Sequence, residues 1–166
     1  MNRAVIAIAD QVILQDLRSR LDQSEAQVDV AFFAESTTEL ASAVLTHKPT
    51  LLFVHDQLGP GLVTHTIRDL TMRNPSLAVI MITASPSVAS YGAAMDAGAR
   101  AVLSYPFGLE ELEQRLASVV EWGQIVRRAV SSQSAATLGE DHGGRVLTVT
   151  GAKGGVGATV VAAHLA

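Results

Sequence analysis

Apolar positions follow two alternating rhythms along the first 130 residues. Short unbroken apolar runs give way to longer stretches in which apolar residues return every third or fourth position. The runs Ala4–Ile8, Val28–Phe33, Thr50–His55, Leu77–Thr83 and Arg100–Ser104 read as strands. Between the first two, Val12, Ile13, Leu14, Leu17 and Leu21 make one helical stripe, with Asp16, Arg18 and Arg20 on the opposite side. Leu40, Ala43, Val44 and His47 make a second, and Val63, Ile67 and Leu70 a third. A fourth helix is expected from Ser85-Pro86 to Gly98, and a fifth from Leu109 to about Val130 with Leu112, Leu116, Val119, Val120 and Val126 inward. The punctuation agrees with these boundaries. Asp10 can cap the first helix. Ser36-Thr-Thr-Glu39 has the spacing of a capping box. Ser85 followed by Pro86 suits an N-cap with proline at the first helical position.

Strand and helix in strict alternation imply an α/β domain, a parallel sheet with helices on both faces. The Thr50–His55 run is apolar throughout, as a central strand covered on both sides requires. Right-handed crossovers and a doubly wound layout give the expected flavodoxin-like strand order 2-1-3-4-5. Residues 131–144 are polar and rich in Ser and Gly, and read as a linker. Residues 145–166 then begin a second α/β unit.

Composition narrows the picture. Hydrophobic residues make up 48% of the 166 and charged residues 17%, enough apolar content for a filled core. The formal net charge of −4 argues against nucleic acid as a partner. Cysteine is absent, which excludes disulfides and thiolate metal sites. No apolar run approaches the roughly 18 residues of a membrane span, and a cytoplasmic location is expected. His47, His65, His142 and His164 are scattered without ligand spacing and suit structural or exposed roles; His55, at the end of the central strand, is the exception.

The most specific motif lies in the second unit. A β-branched run ends at Gly151, a glycine-rich turn follows, and an alanine-rich helical run begins after Thr159. Strand, glycine loop and helix in that order cradle a phosphate. Lys153, Gly154, Gly155, Val156, Gly157, Ala158 and Thr159 resemble the deviant Walker A motif of the MinD/ParA ATPases, in particular the CpaE/TadZ branch of pilus-assembly ATPases. The resemblance implies ATP and Mg²⁺ binding in a longer parent protein, with Thr159 on the metal. Two positions depart from the pattern. Ala152 replaces a glycine, and Ala158 replaces the lysine that neutralises the β/γ-phosphates, so this stretch alone is expected not to hydrolyse ATP.

Residues 1–130 resemble the receiver domain of response regulators. Val79-Ile-Met-Ile-Thr-Ala84 and Ala97-Gly-Ala-Arg-Ala-Val-Leu-Ser-Tyr-Pro-Phe-Gly-Leu-Glu-Glu-Leu112 carry the likeness. Open α/β sheets bind ligands beyond the carboxyl ends of their strands. A working receiver has two acids after the first strand for Mg²⁺, an acceptor aspartate after the third, a Thr or Ser after the fourth and a lysine after the fifth. Here those positions hold Ala9 and Asp10, then Asp56, Thr83 and Tyr105. Counting from Pro49 places His55 at the acceptor position. Counting back from Pro60 places Asp56 there, and the Asp-x-x-x-Pro-Gly spacing favours the latter. The resemblance also implies a cis Tyr105–Pro106 bond. Asp10 and Asp56 are the weak Mg²⁺ candidates, although capping and turn formation explain each more simply.

With one acid and the lysine missing, the expected module is a non-enzymatic pseudo-receiver, itself requiring no cofactor. It would localise, dock or dimerise a CpaE/TadZ-like ATPase of a Flp/Tad pilus or secretion machine, at the cell pole or inner membrane face. The implied homodimer face is the fourth helix, fifth strand and fifth helix, with Tyr91, Met95, Arg100 and Tyr105. The alternatives are a receiver phosphorylated on Asp56, and a partition-type nucleotide hydrolase in the parent.

Overall fold

The computed structural model describes residues 2–138, with side chains to Ser131. Ten elements alternate: β1 (Asn2–Ala7), α1 (Gln11–Gln23), β2 (Val28–Ala34), α2 (Thr37–His47), β3 (Leu51–His55), α3 (Val63–Arg73), β4 (Ala78–Thr83), α4 (Val88–Asp96), β5 (Ala101–Ser104) and α5 (Leu109–Leu138). All four strand pairings are parallel and the order is 2-1-3-4-5, as the alternation predicts. The expected phosphate-cradle fragment, residues 145–166, lies outside the described residues.

Successive strand side chains point to opposite faces, and the core divides accordingly. Val5 and Ala7, Leu52 and Val54, Val79 and Met81 pack with Leu40 and Val44 of α2 and with Val63, Ile67 and Leu70 of α3. Ala4 and Ile6, Leu51 and Phe53, Ile80 and Ile82 pack with Ile13, Leu14, Leu17 and Leu21 of α1 and with Leu112, Leu116 and Val119 of α5. The helical stripes read from the sequence are therefore the buried faces, except that Val12 is exposed and Val120, Val126 and His47 are only half-buried. His47 stacks on Phe32 of the edge strand instead, with ring centroids 5.3 Å apart.

Two expected boundaries and one expected cap bond differ, each for a local reason. Helix α4 starts at Val88 with Ser87 as its N-cap, not at Pro86 after Ser85. Ser87 and Ser90 exchange reciprocal bonds: the Ser90 N–H donates to Ser87 Oγ (3.0 Å) and the Ser87 N–H to Ser90 Oγ (2.8 Å). Ser85 is used elsewhere, its N–H donating to Thr83 Oγ1 at 3.2 Å. At α2 only half of the capping box closes as written. Ser36 Oγ accepts from the Glu39 N–H, but the Glu39 carboxylate accepts from the N–H of Glu35 rather than of Ser36. Helix α5 continues to Leu138, so the first residues of the expected linker are helical. Residues 131–138 include Gln133, Ala135 and Ala136. Extending an existing helix through such residues adds a bond per residue without a new nucleation cost.

Gly98 sits between α4 and β5 at φ +101°, and a Cβ there would lie 2.7 Å from Thr71 Oγ1. That hydroxyl is itself bonded to the Ile67 carbonyl at 2.9 Å. Gly98→Ala is expected to lower stability by about 2–3 kcal/mol, through left-handed backbone strain and displacement of Thr71. Urea unfolding checks this. An unchanged midpoint would show that the turn relaxes freely.

Candidate functional site

Because every strand runs the same way, the segments after β1, β3, β4 and β5 emerge along one edge of the sheet. The register sets Val54 beside Ala7, His55 beside Ile82, and Thr83 beside Ser104. Backbone bonds hold the residues that follow. The Asp56 N–H donates to the Ile82 carbonyl at 3.0 Å, and the Tyr105 N–H to the Thr83 carbonyl at 2.8 Å. Asp56 therefore starts from a fixed backbone position, and so does Tyr105.

Thr83, 1% exposed, is the centre of the arrangement. Its hydroxyl donates to Asp56 Oδ2 at 2.5 Å while its backbone carbonyl anchors Tyr105. Asp56, rather than His55, thus takes the position that faces the β4 threonine. The His55 side chain is buried, with Nε2 3.5 Å from Asp56 Oδ1. Both of those atoms are buried without a hydrogen-bond partner. The loop after Asp56 is tied to α2: the Thr37 N–H donates to the Gly59 carbonyl (2.8 Å) and its hydroxyl to the Pro60 carbonyl (2.7 Å). Thr37 was legible in the sequence only as part of a cap. Its burial at 8% marks its second role, which periodicity does not reveal.

The remaining site residues follow the expected departures. Asp10 is the N-cap of α1, its Oδ1 accepting from Val12 N–H (2.8 Å) and Ile13 N–H (3.2 Å). Ala9 beside it is exposed and offers no oxygen ligand from its side chain. The Tyr105–Pro106 bond is cis, as expected, and so is Gly59–Pro60. Tyr105 is half-buried, edge-on to Phe107 with centroids 6.0 Å apart. Lys48 is the only lysine from residue 2 to residue 138. It caps the end of α2 just before β3 begins, at the opposite end of the sheet from Asp56. On the expected contact face, Tyr91 and Met95 are exposed, Arg100 lies over the Trp122 ring (4.1 Å), and Tyr91 Oη meets Ser104 Oγ at 2.5 Å.

Receiver chemistry draws on Mg²⁺. Asp56 Oδ1 is an oxygen acceptor with no protein partner, and Asp10 brings a second carboxylate at the same sheet edge. Among the described residues no three His, Cys, Asp or Glu side chains converge as a metal cluster. Mg²⁺ keeps several waters and needs only one or two carboxylates plus substrate phosphate. The residues fit an ion brought with a phosphodonor, not a resident ion caged by protein. The seven motif residues Lys153–Thr159, including Thr159, lie outside the described residues.

This geometry defines a class: an open five-stranded α/β domain with an aspartate after β3 facing a threonine after β4. The chain belongs to the response regulator receiver domain family, whose model matches residues 5–117. It is 34% identical over 116 residues to the KDP operon transcriptional regulatory protein KdpE of Escherichia coli (strain K12), a match covering 70% of this chain and 50% of that protein. The chain thus spans about half the length of that relative. Among solved structures, it resembles the signal receiver domain of a putative Luxo repressor protein from Vibrio parahaemolyticus. The TM-score is 0.67 at 15% identity, over 77% of this chain and 96% of that one. The isolated REC domain of RcsB from Salmonella enterica serovar Typhimurium gives a TM-score of 0.65 at 21% identity, over 72% and 88%. No helix among the described residues is long and apolar enough to cross a membrane.

Proposed function

We propose that this domain receives a signal as a phosphoryl group on Asp56. The observation that carries the reading is the Thr83 hydroxyl on Asp56 Oδ2, at the carboxyl edge of a receiver sheet. A carboxylate oxygen of Asp56 attacks the phosphorus of a small acyl phosphate, the bond from phosphorus to the donor's carboxylate oxygen breaks, and the carboxylate leaves. Thr83 holds the carboxylate in place and then offers its O–H to a phosphoryl oxygen. Mg²⁺ would supply charge neutralisation there, held through Asp56 and Asp10. The reaction is slow, because Tyr105 brings no charge and Asp10 is already occupied in capping α1.

The test is intact-mass spectrometry after incubation with acetyl phosphate and Mg²⁺. One added phosphate is expected in the wild type and none in Asp56→Asn. A wild type that gains nothing after hours overturns the reading.

A second reading rests on the same departures. With Ala9 and Tyr105 in place of an acid and a lysine, the domain would act by contact rather than by phosphorylation, without enzymatic activity. Its partners would be a second copy of itself, through Tyr91 and Met95, and an attached CpaE/TadZ-like ATPase that binds ATP and Mg²⁺ at Lys153–Thr159. A role in pilus or secretion assembly, and recruitment to a pole or membrane face, follow from that motif alone. ATP binding by the full-length protein, lost in Lys153→Ala, would favour this reading.

A further inference from the structure

Helices α2 and α3 lie on the same face of the sheet, and each returns from the end of one parallel strand to the start of the next. They therefore run side by side in the same direction. Between them lies a cleft of about 630 Å³. Its apolar lining includes Val44 and Leu70, both buried, and Leu45, which is 66% exposed. Two cations line the same cleft at one end: Lys48 is the C-cap of α2, and Arg73 is the last residue of α3. Asp69, one turn before Arg73, lines it too. Among the described residues no ion pair engages Lys48, Arg73 or Asp69.

Small-molecule sites are clefts of about 300–1,000 Å³, mostly apolar, with a few polar groups that fix orientation. This cleft has that size and that lining. Two cations against one carboxylate leave its charged end positive. Each cation also offsets the negative end of its own helix. That role alone does not require two unpaired cations at the same end of one apolar cleft. Lys48 carries a further mark. Its φ of +47° makes it the one non-glycine residue with positive φ among those described. Glycine is the residue that suits such a helix end. A side chain held in this backbone region points to function more often than to packing.

We propose that the α2–α3 cleft binds a small amphipathic organic anion, its apolar body against Val44, Leu45 and Leu70 and its carboxylate between Lys48 and Arg73. Thr37 lines the cleft as well, and it holds the Gly59 and Pro60 carbonyls of the loop after Asp56. An occupant thus borders the residue that positions that loop. Its carboxylate lies at the other end of the sheet from Asp56, so the inference stands or falls independently of phosphate acceptance.

The probe is octanoate, titrated into the full chain from roughly 0.1 to 10 mM, the range that suits a ligand of about ten heavy atoms. The readout is ¹H–¹³C NMR of methyl groups. The Val44, Leu45 and Leu70 signals are expected to move together and to saturate. Losing the carboxylate's charge-assisted bonds should cost about 10-fold in affinity, so 1-octanol should shift the same signals far less at equal concentration. Octylamine should also bind more weakly; equal or tighter binding of the amine would assign the charged end to Asp69 and overturn the proposal. Lys48→Gly is expected to weaken octanoate about 10-fold while leaving the urea midpoint unchanged or higher, because glycine relieves the left-handed backbone. A folded Lys48→Gly protein that binds octanoate as the wild type does overturns the proposal. The octanol and octylamine comparisons use the wild type and need no variant. Ser42→Trp, on the exposed side of the lining, should fill the cleft and abolish the shifts. If octanoate leaves these methyl signals in place, the proposal fails. It fails equally if sedimentation shows a dimer that Ser42→Trp dissociates and octanoate does not, since the cleft then belongs to a second copy of the chain.

Discussion

Tyr105→Lys is expected to raise the rate at which Asp56 takes a phosphoryl group from acetyl phosphate by a factor on the order of 10²–10³. Phosphoryl transfer spreads negative charge over the equatorial oxygens, and the protein's part is to position and neutralise. The Tyr105 position is well placed for neutralisation. Its N–H is bonded to the carbonyl of Thr83, the residue whose hydroxyl holds Asp56. A lysine on that backbone starts from the same anchored point but ends in an ammonium. Tyr105 ends in a neutral phenol and packs on Phe107. Losing that ring pair costs about 0.5–1.5 kcal/mol of stability, which leaves the fold intact. Tyr105→Met is the control, similar in reach and without charge. Initial rates by intact-mass time course decide the matter: equal rates for the lysine and methionine variants would show that charge at this position is not what limits transfer.

Most of the architecture was legible because burial on this sheet obeys simple periods. Leu52 and Val54 face one layer, Leu51 and Phe53 the other, and the run reads as continuously apolar for that reason. The spacing from Asp56 to Pro60, which favours Asp56 over His55, reflects a loop whose Gly59 and Pro60 carbonyls are both held by Thr37. What stayed hidden depended on side chains meeting across the fold or on competition between neighbours. Ser85 and Ser87 are both plausible caps, and Ser87 wins because Ser90 can answer it while Thr83 claims the Ser85 N–H. The His55–Asp56 approach is set by where the chain leaves β3, a backbone fact with no signature in hydropathy. Asp10 was readable both as a cap and as a metal acid. Its bonds to Val12 and Ile13 show the first role occupied, which explains why an isolated acid beside Ala9 is a poor guide to chemistry.

Phe53→Ala is expected to cost about 3–5 kcal/mol, a large share of the roughly 5–15 kcal/mol that holds a domain of this kind folded. Phe53 is fully buried in β3, the middle strand of the five. It lies in the layer formed with α1 and α5, among residues such as Leu17 and Leu112. Its backbone is fixed on both sides, paired with Ile6 and with Ile80, so the strand cannot shift to fill the void. The surrounding side chains belong to two long helices whose other contacts hold them in place, and the cavity term therefore adds to the lost transfer energy. Phe53→Leu leaves a smaller void and should cost less. Trp122 reports the transition, since it packs against the same layer beneath Arg100. Urea unfolding followed by its fluorescence should show a much lower midpoint with an unchanged slope. The consequence reaches the site, because Phe53 lies two residues before His55 on the same strand and face. Phosphate acceptance by Asp56 should fall with the folded fraction and recover when the temperature is lowered. A loss below about 1 kcal/mol would mean that α1 and α5 collapse onto β3, and that the central strand is less constrained than its pairing implies.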